Sequence, residues 1–195
     1  MSPRPRTIDD AEILAATARV IERVGPANLT LALVAKEVGL APATLVQRFG
    51  SKRELLLALA RSGGGETAAF VERLREEHGS PLAAAREFVL CFAAMARSPE
   101  EMANHLAFLQ MDLTDPAFHR ITLDLFKDHQ QSLERLLREA VKAGELARCE
   151  TRRIARTLLA LASGSLLHWA IYRTGNARDW LARDVETVLG PHLKG

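Results

Sequence analysis

Apolar residues return every three to four positions along almost the whole chain. Nowhere do they alternate long enough to build a strand, so the pattern predicts an all-α protein. The first stripe lies in "DDAEILAATARVIERVG", with Ile13, Leu14, Thr17, Val20, Ile21 and Val24 on one face. Asp9 or Asp10 suits its cap, and Gly25 its end. Thr30 suits the cap of a second helix whose inner stripe is Leu31, Val34, Ala35 and Val38 and which stops at Gly39. Pro42 opens a third helix of barely two turns, with Leu45 and Phe49 four residues apart as its anchors. Ser51 and Glu54 then form an S-x-x-E capping box for a fourth, continued by Leu55, Leu56 and Leu59. Residues 9–61 therefore read as a three-helix unit and the start of a connecting helix.

The stretch "RSGGGE" (61–66) interrupts that connecting helix. Each glycine costs about 1 kcal/mol relative to alanine in a helix interior, so the helix either ends here or carries a flexible joint. Further helices are predicted at 66–78, 81–97, 100–112, 116–143, 150–173 and 178–190, with Pro81 and Pro116 near starts and "KAG" (142–144) as a stop. The expected division is an N-terminal domain at 1–61, with 1–8 as a basic arm, and a C-terminal helical domain at 62–195.

Composition narrows the field by exclusion. A net charge of +2 names no partner, and residues 1–61 hold only nine Lys/Arg against six Asp/Glu. Cys91 and Cys149 lie far apart without a second Cys or His at metal spacing, and read as reduced structural thiols. "MSPRPRTIDD" has no apolar core for a secretory signal. The longest apolar run, 157–172, is short for a bilayer and broken by Ser, Gly and His. A soluble, cytoplasmic protein without a membrane partner is expected. There is no HExxH, no pair of Glu-x-x-His motifs, no G-x-S-x-G and no phosphate or dinucleotide glycine loop. Glu101 and His105 share a helix face but read as a surface pair. No catalytic residue, metal or cofactor is expected.

Two short helices joined by a glycine turn and braced by a preceding helix make a helix-turn-helix, whose second helix enters the DNA major groove. The outward positions of the third helix are Ala43, Thr44, Gln47 and Arg48. Glutamine pairs bidentately with adenine and arginine with guanine, while threonine serves a base or a phosphate. Lys52 is placed for a phosphate, beside free N–H groups at a helix start. Arg4 and Arg6 on the arm either reach the minor groove and backbone or form a solvated tail.

The stretch "LTLALVAKEVGLAPATLVQRFGSKRELLLAL" (29–59) resembles the DNA-binding domain of TetR/AcrR-type transcriptional regulators. The match runs through Thr30, Ala35, Gly39, Leu45, Phe49, Lys52 and Leu55. It adds Thr30 and position 46 to the DNA-facing set. The family usually carries a phosphate-contacting tyrosine at the latter, where this chain has Val46; Arg48 stands where His or Tyr is frequent. Ala41 replaces the usual polar cap, at a cost of about 1 kcal/mol.

The resemblance also implies a C-terminal core that binds a small effector and pairs with a second copy. Leu158, Leu161, Ser165 and Trp169, with Trp180, Leu181, Val185 and Val188, supply a dimer face or, equally by pattern, monomer core. Phe88, Phe92, Met95, Met102, Leu109 and Phe126 suit an apolar pocket, with His105 and Gln110 to orient its ligand. Ordinary core packing has the same composition. The expectation is a dimeric regulator, most often a repressor in such families, on a palindromic operator in double-stranded DNA, released by a small apolar or aromatic molecule. A helix-turn-helix protein without effector and an all-α enzyme or ligand carrier are the alternatives.

Overall fold

The computed structural model describes residues 8–63 and 67–194. Arg4, Arg6, Gly64 and Gly65 lie outside them, as do the expectations placed on the arm and on most of the triple glycine. The described residues form ten α-helices: α1 (Asp10–Asn28), α2 (Leu31–Val38), α3 (Pro42–Phe49), α4 (Lys52–Ser62), α5 (Thr67–His78), α6 (Pro81–Leu90), α7 (Pro99–Thr114), α8 (Pro116–Lys142), α9 (Thr151–Tyr172) and α10 (Ala177–Leu189). Two 3-10 turns complete them, at Cys91–Met95 and Gly190–His192. The helix expected at 81–97 is thus shorter, passing into a 3-10 turn at Cys91.

Local chemistry explains the boundaries. Asp9 accepts from the Glu12 N–H at 2.8 Å while Glu12 reaches back to the Asp9 N–H, a complete capping box. At Ser51 the box is half made: the serine accepts from the Glu54 N–H at 3.2 Å, but the Glu54 carboxylate turns to Arg53. Helix α1 breaks at Gly25, whose backbone sits at φ 75° and ψ 161°, and Pro26 starts one last turn. Helix α2 stops at Gly39 in the left-handed region (φ 71°), where the Leu40 N–H returns to the Ala35 carbonyl at 2.9 Å.

The chain falls into two compact units. The first takes the residues up to Gly63 together with Ala103–Thr122; the second takes the rest. The first unit is therefore larger than the three-helix reading of 9–61, because the C-terminal part of α7 and the first turns of α8 join it. Its core gathers Ile13, Val20 and Leu29 with Val34, Leu45, Leu55, Leu56 and Phe118, while Phe108, Met111 and Ile121 pack on the outside. Leu45 is the single buried residue of α3, so truncating it to alanine would cost about 2–5 kcal/mol and release that helix.

Within the first unit, its segments of α7 and α8 are held to this core by specific polar contacts. Arg53 forks onto the Asp115 carboxylate at 3.0 and 2.8 Å and lies 5.9 Å over the Phe118 ring. Asp115 also accepts from the Ala117 N–H at 2.8 Å, capping α8. The Asn104 amide donates to the Glu22 carbonyl at 2.8 Å. A Cβ on Gly25 would stand 2.5 Å from Asn104 Oδ1, so this approach and the positive φ both require glycine there.

In the second unit α9 packs on α10 and on α6. Ile154, Leu158, Leu166 and Trp169 are buried from α9, and Leu181, Val185 and Leu189 from α10. Ser165 donates to Asp184 at 2.6 Å between the two helices. By length and composition α9 is a helix able to cross a membrane, although the run 157–172 alone looked too short. One face of it is spent in the core of this unit.

Candidate DNA-binding face and effector region

Helix α3 begins at Ala41 without a side-chain cap, its first turn held by the Thr44 N–H on the Ala41 carbonyl at 2.9 Å. Ala43 and Gln47 are exposed and Thr44 is half-exposed. Among the described residues the Gln47 amide has no hydrogen-bond partner, and the side chain is exposed. Val46 is 50% exposed, an apolar side chain on the outer surface. Thr30 caps α2, accepting from the Leu33 N–H at 3.2 Å, and stays exposed.

The two cations expected at DNA are partly engaged elsewhere. Arg48 donates to the Ile8 carbonyl at 2.6 Å and pairs with Asp10 at 2.5 Å, fixing α3 to the start of α1. Its side chain is thus turned along the protein and not outward like Gln47. Lys52 donates to the Ala27 carbonyl at 2.8 Å; an ammonium carries three donors, so that contact does not exhaust it. Arg19 and Arg23 meet Glu37 at 3.7 and 3.0 Å, bracing α1 against α2. The Arg23 hydrogen bond holds the Glu37 carboxyl below its usual range.

The residues proposed for an effector divide between the units. In the second, Phe88 is buried and stands 6.1 Å from Phe70 and 6.1 Å from Phe92. His129 meets both edge-on, 5.7 Å from Phe88 and 5.4 Å from Phe92. Burial lowers the His129 pKa from its ordinary value. Met95 is half-buried and Met102 buried. Phe126 is 51% exposed, on the outer side of α8, and does not join the aromatic cluster. It lines a surface groove of about 290 Å3 with Leu123, Leu159, Ala160 and Ser163.

His105, Leu109 and Gln110 belong to the first unit. His105 is half-buried, and desolvation lowers its pKa; Leu109 is half-buried. Gln110 is exposed, so it has no buried polar role. Sequence reasoning missed His129, which the Phe-rich pattern of α6 does not reveal.

The residues expected at a dimer face are mostly consumed inside one chain. Leu158, Leu181 and Val185 are buried, as are Ser165 and Trp169; Leu161, Trp180 and Val188 are half-buried. Because α9 and α10 pair with each other, their most apolar stripes meet within the chain. The apolar surface left over lies on the other side of α9, at Leu167, Ile171 and Tyr172, and on α8 at Leu123 and Phe126.

A short exposed helix set on a glycine turn, braced by α1 and followed by a capped α4, defines a helix-turn-helix DNA-binding regulator. The bacterial regulatory proteins, tetR family, match by their N-terminal model at residues 13–59. The C-terminal model of the BetI-type transcriptional repressors matches residues 81–190, more than half of the chain. The chain belongs to the tetR family of transcriptional regulators.

No curated protein matches the chain. Among solved structures it is similar to a TetR transcription regulator from Haloarcula marismortui, at 18% identity over 95% of this chain and 98% of that one, with a TM-score of 0.77. A TetR-family regulator from Rhodococcus sp. superposes with a TM-score of 0.68 at 22% identity, covering 92% and 98%. The Bacillus subtilis regulator FadR, solved in complex with stearoyl-CoA, gives 0.66 at 16% identity, covering 93% and 98%. At these identities the likeness is one of fold.

Proposed function

We propose that this regulator is a cytoplasmic repressor, without catalysis of its own, that binds a palindromic operator as a homodimer and leaves it when a small apolar or aromatic molecule binds. The observation that carries the reading is the outer face of α3, where Gln47 is exposed with no hydrogen-bond partner among the described residues and Thr44 stands one turn before it. Gln47 is the candidate base reader, Thr44 serves a base or phosphate, and Lys52 supplies a phosphate contact next to the N-terminus of α4. Arg48 acts as a brace. Arg4 and Arg6 remain candidates for the minor groove.

Two features of the second unit support the rest. The exposed apolar residues Leu123, Phe126, Leu167 and Ile171 on α8 and α9 suit a second copy, which would bring two reading helices to half-sites about one helical turn apart. The Phe88–Phe92–His129 cluster suits an apolar or aromatic effector. FadR from Bacillus subtilis, solved in complex with stearoyl-CoA, a molecule with a long apolar chain, has a similar fold.

The test is binding to the chain's own upstream DNA against a scrambled duplex across a salt series. Specific binding should concentrate on a palindrome, and Gln47→Ala should relax preference at one base pair per half-site by about 1–3 kcal/mol. Binding with a steep salt slope and no preference would show phosphate attraction alone and refute the reading.

A further inference from the structure

Within the second unit, three hollows along the exposed side of α9 share lining residues. The widest is an open basin of about 800 Å3 lined by Gln130, Glu150, Arg152, Arg153, Arg156 and Thr157. A neighbour of about 400 Å3 shares Glu150, Arg153 and Thr157 with it and adds Arg148 and His192. The apolar groove at Phe126 adjoins it through Gln130 and Arg156. The basin itself is cationic, with three guanidiniums around one carboxylate.

No carboxylate neutralises these arginines. Several arginines elsewhere are held by acids, Arg53 by Asp115, Arg86 by Glu186 and Arg178 by Glu87. The side chains of Arg152, Arg153 and Arg156 have neither an ion pair nor a hydrogen bond among the described residues, Glu150 included. Arg152 and Arg156 stand four apart on one helix, a spacing at which like charges repel. A compact anion in the basin relieves that repulsion. Each guanidinium offers it a planar fork of donors that matches phosphate oxygens, and Thr157 and Gln130 add neutral donors at the wall.

We propose that this basin is a binding site for a small molecule carrying two or more linked phosphate groups, held by Arg152, Arg153 and Arg156. The site goes beyond the apolar effector assigned to Phe88, Phe92 and His129 and uses none of those residues. Three arginines against Glu150 leave a local balance of +2, which favours a multiply charged anion. A single phosphate engages one or two of the forks, whereas linked phosphates reach all three. A concave basin of this volume suits a small molecule better than the backbone of a duplex.

The test is calorimetric binding of sodium triphosphate, inorganic phosphate and citrate to the intact protein at one fixed ionic strength, without DNA. Triphosphate should bind about tenfold more tightly than either of the others, and an Arg152→Ala, Arg156→Ala double variant should lose about tenfold in that affinity. Both side chains are exposed, so the variant should melt with the parent. An Arg61→Ala, Arg120→Ala double variant removes the same charge from exposed positions elsewhere and should bind triphosphate like the parent. No triphosphate binding, equal binding of citrate, or equal losses in the two double variants would each overturn the proposal. So would a fall in operator affinity with a shallower salt slope in the first variant when the parent binds no triphosphate, since the cluster would then serve DNA.

Discussion

The contact between Gly25 and Asn104 offers a sharp test of how the first unit is held together. Gly25 sits at φ 75° and ψ 161°, a region that residues with a Cβ almost never occupy. Placing alanine there costs about 1–3 kcal/mol in backbone strain. The new Cβ would also stand 2.5 Å from Asn104 Oδ1. That atom ends a flexible side chain and can swing away, but doing so sacrifices the 2.8 Å hydrogen bond from the Asn104 amide to the Glu22 carbonyl. Such a bond contributes about 0.5–1.5 kcal/mol. Gly25→Ala should therefore lose about 2–4 kcal/mol, or about 4–15 °C of melting temperature for a chain of this size.

The assay is thermal and urea unfolding of Gly25→Ala, Asn104→Ala and the double variant. If the clash is real, the hydrogen bond can be lost only once, so the double variant should cost less than the sum of the singles. Strict additivity would remove the clash from the account. A Gly25→Ala variant within about 0.5 kcal/mol of the parent would refute the strain itself.

Other outcomes follow from contacts already described. Arg48→Ala and Asp10→Ala should each weaken all operator variants alike, measured by competition binding, whereas loss of preference at a single base pair would return Arg48 to a reading role. The Arg53 hydrogen bond holds the Asp115 carboxyl below its usual range, so its contribution is full above the unfolded-state pKa and is lost as pH falls through the folded-state value. Stability should thus fall below about pH 4, and Asp115→Asn should flatten that limb of a pH-melting series. Burial pushes the Cys91 thiol up to about 11, and raises Cys149 as well. Iodoacetamide at pH 8 should therefore label Cys91 slowly in the native protein and readily in denaturant; rapid native labelling would contradict the burial.

The helices were legible in the sequence because their apolar periodicity and stop residues are local signals. Gly25, Gly39, Pro81 and Pro116 all mark boundaries in the structure. What periodicity does not carry is the partner of each face. Leu158 and Val185 lie on strong stripes, and nothing in the spacing tells an inner stripe from one shared with a second copy. Arg48 was assigned outward by helical phase, but a long side chain can bend back to Asp10, a residue 38 positions earlier.

The sparse start of α3 has a consequence for how this protein can diversify. With no side-chain cap at Ala41 and one buried anchor at Leu45, little of the domain's folding depends on what occupies positions 43, 44 and 47. Brace and reader are separate residues, since Arg48 locks the helix in place while Gln47 faces out. A lineage carrying this arrangement can exchange its recognition letters one at a time without first repairing its scaffold. New operators are then reached through small steps in sequence, each leaving a folded protein for selection to act on.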